Sequence, residues 1–407
     1  MTKQYANGKL DRATQGGPEN NPSSRQSARF SLGRASARAM SVYGILILTI
    51  VLCVVFSLMM PNTFPTAFNA QSILSDKSIT VLVALAEMIV VSANQFDLSV
   101  GYGIGLAQIL AIGFQTREHL PWPVASLLVL AIGMGIGLVN GLLVTRAHID
   151  SFIATLGVGT FLYGVSEWYT KGAQVVGNVS SAFQALSGNV LGIPLATIYV
   201  IVIGAGLWIA FEYLPIGRYL YVLGSNPKAA ELNGISSRKY ILIAFMAGGT
   251  LTAFAGVILQ SRLTVGQSSV GPEYLLPAFV GALLGATTVK PGRANVWGTV
   301  LAVLFLGVAV AGLEQMGAQF YVSSLFDGTM LVLAVGLAGY AARRRTRVTL
   351  GSDVGKPPAP TTTNPRQPPK AKDAESALSF PESTMREERA SSPRPRNPSG
   401  LETDGPA

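Results

Sequence analysis

From Ser41 to Met60 the chain runs for 20 residues without one charged side chain. Wound at 1.5 Å per residue, such a run spans the ~30 Å of hydrocarbon in a bilayer. Inside a bilayer a lone segment can satisfy its own backbone only as a helix, so this feature sets the architecture. Further apolar runs follow at about 79–93, 99–116, 123–145, 152–170, 193–212, 240–260, 272–289, 294–314 and 325–342. The expected fold class is all-α: a polytopic membrane helix bundle of about ten transmembrane helices. With 49% hydrophobic and only 13% charged residues among 407, a soluble globular chain is excluded. The second and eighth runs are short, and are expected to be bent or broken.

Two polar extensions flank this region. Residues 1–40 are rich in Ser, Asn, Gly and Arg and hold seven Lys or Arg, which predicts a disordered cytoplasmic tail. They do not resemble a secretory leader, whose charged head is shorter and whose apolar core spans only ~7–15 residues. Residues 343–407 hold 11 of the 23 prolines and predict a second disordered, Pro-rich cytoplasmic tail. The transmembrane domain is therefore expected over 41–342. The formal charge of +9 reads as a topology signal and not as nucleic-acid binding, because basic residues near membrane ends stay in the cytosol. With the N-terminus inside, 18 Lys and Arg lie on the cytosolic side against 4 outside: Lys77, Arg117, Lys171 and Arg262. The expected location is a bacterial inner membrane, multi-pass, with both termini cytoplasmic. The tails leave two readings open: contact with anionic membrane lipid, at ~1 kcal/mol per nearby basic residue, or a passive role.

The residues that carry chemistry in enzymes are sparse. Cys53 is the single cysteine and sits in an apolar run, so no disulfide forms within the chain. His119 and His148 lack ligand spacing and a nucleophile partner, which argues against a metal site or a hydrolase. No catalytic residue and no cofactor is expected. No Gly-x-x-x-x-Gly-Lys-Ser/Thr loop is present, so any nucleotide hydrolysis falls to another polypeptide. The glycines of Gly101-Tyr102-Gly103-Ile104-Gly105 are no substitute, lying in a membrane run with no strand before them.

Polar residues within apolar runs are costly unless they face protein or water. Glu87, Asn94, Asp97, Gln108 and Asn140 are therefore candidates to line a translocation pathway. For Asp97 we favour a structural duty, capping the third helix ahead of Gly101. Gln95 lies beside them, while Glu167 and Glu314 fall near helix ends, where solvation suffices. Gly133, Gly137 and Gly141, and Gly281 and Gly285, repeat every four residues and predict close helix packing.

The longest cytosolic link, 213–239, contains a short helix with its own punctuation. Asn226 suits the N-cap, Pro227 the first helical position and Gly234 a left-handed stop. Taken alone, it serves equally as a connector or as a docking element.

The segment Gly217-Arg218-Tyr219-Leu220-Tyr221 through Gly224-Ser225-Asn226-Pro227-Lys228-Ala229-Ala230-Glu231-Leu232-Asn233-Gly234-Ile235 resembles the cytoplasmic loop of ribose/xylose-type ABC transporter permeases. Asp97-Leu98-Ser99-Val100-Gly101 resembles that family's Gly-Gly-Ile-Asp-Leu-Ser-Val-Gly signature. Gly137-Leu138-Val139-Asn140-Gly141-Leu142-Leu143-Val144 with Phe152-Ile153-Ala154-Thr155-Leu156-Gly157 resembles its fourth-to-fifth-span region. Two departures stand out: Asn94-Gln95 replace the usual glycines, and Glu87 occupies an ordinarily apolar position. Residues 285–299 match a further family pattern only in part.

The resemblance implies a permease that translocates a monosaccharide or similar polyol. Its implied partners are a second permease subunit, cytoplasmic ATP-binding subunits and a periplasmic sugar-binding protein. It also implies that the ATPase grips the loop containing Arg218, Asn226, Pro227, Lys228, Ala229, Ala230, Glu231 and Gly234. There, Ala229 and Ala230 are expected to allow close contact, with Lys228 and Glu231 on the rim. The alternative is an ion-coupled secondary transporter, in which Glu87 and Asp97 hold ions and no ATPase is needed.

Overall fold

A computed structural model describes residues 42–336. The described chain is a bundle of helices whose deepest layer is formed by α2 (Ala67–Ser92), α3 (Ser99–Thr116) and α10 (Ser237–Leu263). Around it lie α1 (Val42–Met59), α4 (Trp122–Thr145), α5 (Ser151–Thr170), α7 (Leu195–Glu212), α12 (Val296–Gln315) and α13 (Tyr321–Gly336). Five of these, α1, α4, α7, α10 and α12, are long and apolar enough to cross a membrane. The outward faces of α1, α4, α5 and α7 carry exposed Leu, Ile, Val and Phe, the surface that lipid requires.

The expected apolar runs fall on helices, with two instructive differences. The second apolar run covers 79–93, but α2 begins twelve residues earlier, at Ala67, where the Thr66 side chain accepts from the Asn69 N–H at 3.2 Å. Asp76 and Lys77 interrupt the hydropathy, yet the helix passes through them. Asp76 pairs with Arg262 in the last turn of α10, and the Lys77 stem packs where Gly307 of α12 leaves room. Lys77 thus belongs to a helix and not to a link. The eighth run breaks into a 3₁₀ segment, Ser268–Tyr274, containing Pro272, and the 11-residue α11 (Leu275–Gly285). At 1.5 Å per residue α11 reaches about 17 Å, roughly half the hydrocarbon thickness.

Two very short antiparallel ribbons were not expected. β1 (Val175–Val176) pairs with β4 (Val265–Gly266), and β2 (Asn189–Val190) with β3 (Ile193–Pro194). The first ties the link after α5 to the turn after α10. That link also carries the one-turn α6 (Ser181–Gln184), whose Phe183 is buried against Trp122 of α4. The expected glycine packing is present: a side chain at Gly133 or Gly137 would collide with α10, one at Gly141 would crowd Leu242 of α10, and one at Gly281 or Gly285 would collide with α12. The proposed extent of the tails and of the last run beyond Gly336 lies outside the described residues.

Candidate functional site

Between α2 and α3 the chain leaves the helix for a tight turn, because Asn94 takes a left-handed conformation at φ +56° that asparagine tolerates well. Three residues on lies the buried Asp97, two positions ahead of the first residue of α3. Its Oδ1 accepts from the Ser99 N–H at 3.0 Å and from the Ser99 hydroxyl at 2.5 Å. This is the capping duty expected of Asp97, and the positive end of the helix dipole favours a carboxyl there. Asn140 of α4 donates to Asp97 Oδ1 at 3.3 Å and to Ser99 Oγ at 2.8 Å. Glu87 of α2, fully buried, receives the Asp97 N–H on Oε1 at 3.3 Å.

The same turn is held from α5. Ser151 Oγ accepts from the Phe96 N–H at 3.1 Å, and Thr155 Oγ1 from the Leu98 N–H at 3.0 Å. Four helices therefore converge on one polar cluster. A pocket of about 10 Å³ opens beside it, lined by Asp97, Ser99 and Thr252 among apolar neighbours, with room for about one water molecule. Buried oxygens Glu87 Oε2, Asn140 Oδ1 and Thr252 Oγ1 have no partner among the described residues. Unpaired acceptors in such a setting supply the binding capacity that a polar solute or water would use.

Of the five pathway candidates, Glu87, Asp97 and Asn140 meet in this cluster. Asn94 does not join them: it is exposed, and its work is the turn. Gln108 belongs to a separate cluster near the middle of α3. It donates to the Gln267 carbonyl at 2.5 Å. With the Gln260 amide oriented to suit its neighbours, Gln260 donates to Gln108 Oε1 at 3.0 Å and to the Val265 carbonyl at 3.3 Å, and accepts from the Val265 N–H at 3.2 Å. Gln174 reaches Gln267 from the link after α5 at 3.2 Å. Glu314 is exposed and Glu167 half-buried, in keeping with solvated helix ends.

The link 213–239 forms α8 (Pro215–Ser225) and α9 (Pro227–Leu232). Asn226 Oδ1 accepts from the Ala229 N–H at 3.0 Å, and Pro227 fills the first helical position. At the other end Gly234, at φ +78°, donates to the Glu231 carbonyl at 2.9 Å and Ile235 to the Ala230 carbonyl at 3.0 Å, the paired bonds of a Schellman stop. Arg218, Lys228 and Glu231 are exposed. Ala230 differs from expectation: it is wholly buried in its own chain, so it orients the helix and offers no outward surface. The outward apolar group is Leu232, 90% exposed.

One contact joins the two regions. Gly224 of α8 lies so close to the Ser92 carbonyl and the Asn94 amide that a Cβ there would collide with the Ser92 backbone. Leu220 and Leu223 bury beside it. The link 213–239 therefore rests directly on the turn leading to Asp97.

Gln260, Thr155 and Thr252 escaped the sequence reading of the site. Gln260 was discoverable by the rule applied to Gln108, a lone amide in an apolar run; the two threonines were not, since helical Thr ordinarily bonds its own backbone.

Residues 69–335 match the family model described as branched-chain amino acid transport system / permease component. The ribose import permease protein of Haemophilus influenzae is 30% identical over 324 residues, covering 79% of this chain and 98% of that protein. The D-allose transport system permease protein of Escherichia coli is 26% identical, covering 72% and 90%. The galactose/methyl galactoside import permease protein of the same species is also 26% identical, covering 72% and 93%. No solved structure gives a significant match. With a model match across nearly all the described helices, and a relative covered almost end to end, this chain belongs to that family of permease components and is a multi-pass inner-membrane transport subunit, not an enzyme.

Proposed function

We propose that the chain is the membrane-spanning half of an ATP-driven importer for a monosaccharide or similar polyol. The relatives named above carry ribose, allose and galactose, all neutral polyhydroxylated solutes. Residues 41–342 form the permease domain with ten membrane-crossing or membrane-embedded segments and both tails in the cytosol. A second permease completes the pathway, a periplasmic binding protein delivers the sugar, and separate ATP-binding subunits grip α8 and α9. In this reading Glu87, Asp97, Asn140 and Gln108 flank the route, and closure of the ATPase on α9 is passed through Gly224 to the α2–α3 turn.

The observation that carries this reading is the rigid, doubly terminated α9 set on α8, which abuts the backbone at Ser92 and Asn94. The test is uptake of radiolabelled ribose, allose or galactose into proteoliposomes holding the permease, its ATPase and its binding protein. Uptake is expected only with ATP and all three components. Uptake that persists without ATP and collapses with the ion gradient selects the secondary-transporter alternative.

A further inference from the structure

The link between α5 and α7 ends in the β2–β3 hairpin, and its two-residue turn is Leu191-Gly192. Both residues have positive φ, +52° and +80°, the geometry of the tight hairpin turn that prefers Asn-Gly. Leucine in the left-handed region is strained by its Cβ. Nothing within the described chain rewards that strain, because Leu191 is 98% exposed. Val190 and Ile193 beside it are also exposed, so the tip is apolar throughout.

Its surroundings point to one occupant. From Gly172 through Phe211 no residue is charged, so the link offers no ionic handle to a soluble partner. Leu191 stands only four residues before Leu195, where α7 begins. With ~3.3 Å per strand residue, the tip lies at most about 13 Å from the first turn of α7 and less when folded back as a hairpin, a reach comparable to the headgroup zone. Helix ends that fall on the same side under alternating crossings carry Trp168 and Tyr321, 75% and 53% exposed, and Trp and Tyr at that level mark a membrane interface.

We propose that the β2–β3 tip, with Leu191 at its apex, is an interfacial anchor embedded in the headgroup layer of the lipid bilayer at the start of α7. The strained leucine is then kept for its contact with lipid. The proposal rests on the chain being a membrane protein and not on the identity of its solute.

The test uses the full chain with Cys53→Ser and Leu191→Cys, labelled with an environment-sensitive fluorophore in phosphatidylcholine nanodiscs. The expected result is blue-shifted emission, quenched by headgroup-proximal spin-labelled lipid and indifferent to iodide. A label at the exposed Gln174 of the same link should behave oppositely. Quenching of the Leu191 label by iodide, or protection only when a binding protein is added, overturns the proposal. A label-free arm uses Leu191→Gly, which relieves the turn: it should raise thermal stability in detergent but not in nanodiscs. An equal gain in both counts against lipid contact.

Discussion

Two polar clusters are strung along α3, about 16 Å apart by helical rise, and they solve the same problem in different ways. At Asp97 the polar atoms serve a place where the helix has stopped: backbone amides outside the helical ladder donate, Glu87 of α2, Asp97 itself and Ser151 and Thr155 of α5 supply acceptors, and Asn140 of α4 donates. At Gln108 the helix is continuous, and amide side chains bond to one another and to the backbone beside β4. The first cluster is attached to the α8–α9 link through Gly224; the second is attached to the link after α5 through Gln174. A polar residue at a helix start is structural and mechanical at once, whereas one in mid-helix chiefly needs a complementary neighbour.

The sharpest challenge to that contrast is Asp97→Leu. It strands the Ser99 amide and the Ser99 hydroxyl and removes one of the two bonds of the Asn140 amide, and is expected to cost about 3 kcal/mol or more, with loss of folded protein in a detergent thermal melt. Asp97→Asn, which retains an acceptor at the cap, should cost clearly less. Next in size is a double-mutant cycle at Gln108 and Gln260. Each single change to Leu is expected to cost about 1–3 kcal/mol, while the pair together should cost less than the sum, because both partners leave at once. Strict additivity would make the mid-helix cluster as dependent on its surroundings as Asp97. The smallest effect on the fold is expected from Asn226→Ala, about 1 kcal/mol confined to α9. The melt should barely move while ATP hydrolysis by the assembled transporter loses its response to the binding protein. A melt lowered as far as by Asp97→Leu would show α9 to be part of the core.

Much of this was written in local chemistry. The start and stop of α9 were readable because Asn226, Pro227 and Gly234 each act within a few residues of themselves, and the cap at Asp97 for the same reason. What the sequence hid depended on distant partners. Nothing near Ala230 reveals that it faces inward, since a six-residue helix has too few positions to define a buried side. The early start of α2 was obscured by Asp76, whose partner Arg262 lies 186 residues away. The left-handed turn at Asn94 was equally hidden, because an amide beside a membrane run does not announce its backbone conformation.

The truncated α11 has a consequence for how the bundle can move. Its last carbonyl is not left bare: Asn295 Nδ2 donates to Gly285 O and, in the turn beyond, to Thr288 O, each at 3.0 Å, while Asn295 Oδ1 accepts from the Gly298 N–H at 2.8 Å and so caps α12. A single side chain thereby rivets the end of one helix to the beginning of the next. A shift of α11 therefore pulls on the head of α12, while upstream the chain reaches α11 through the 3₁₀ turns around Pro272.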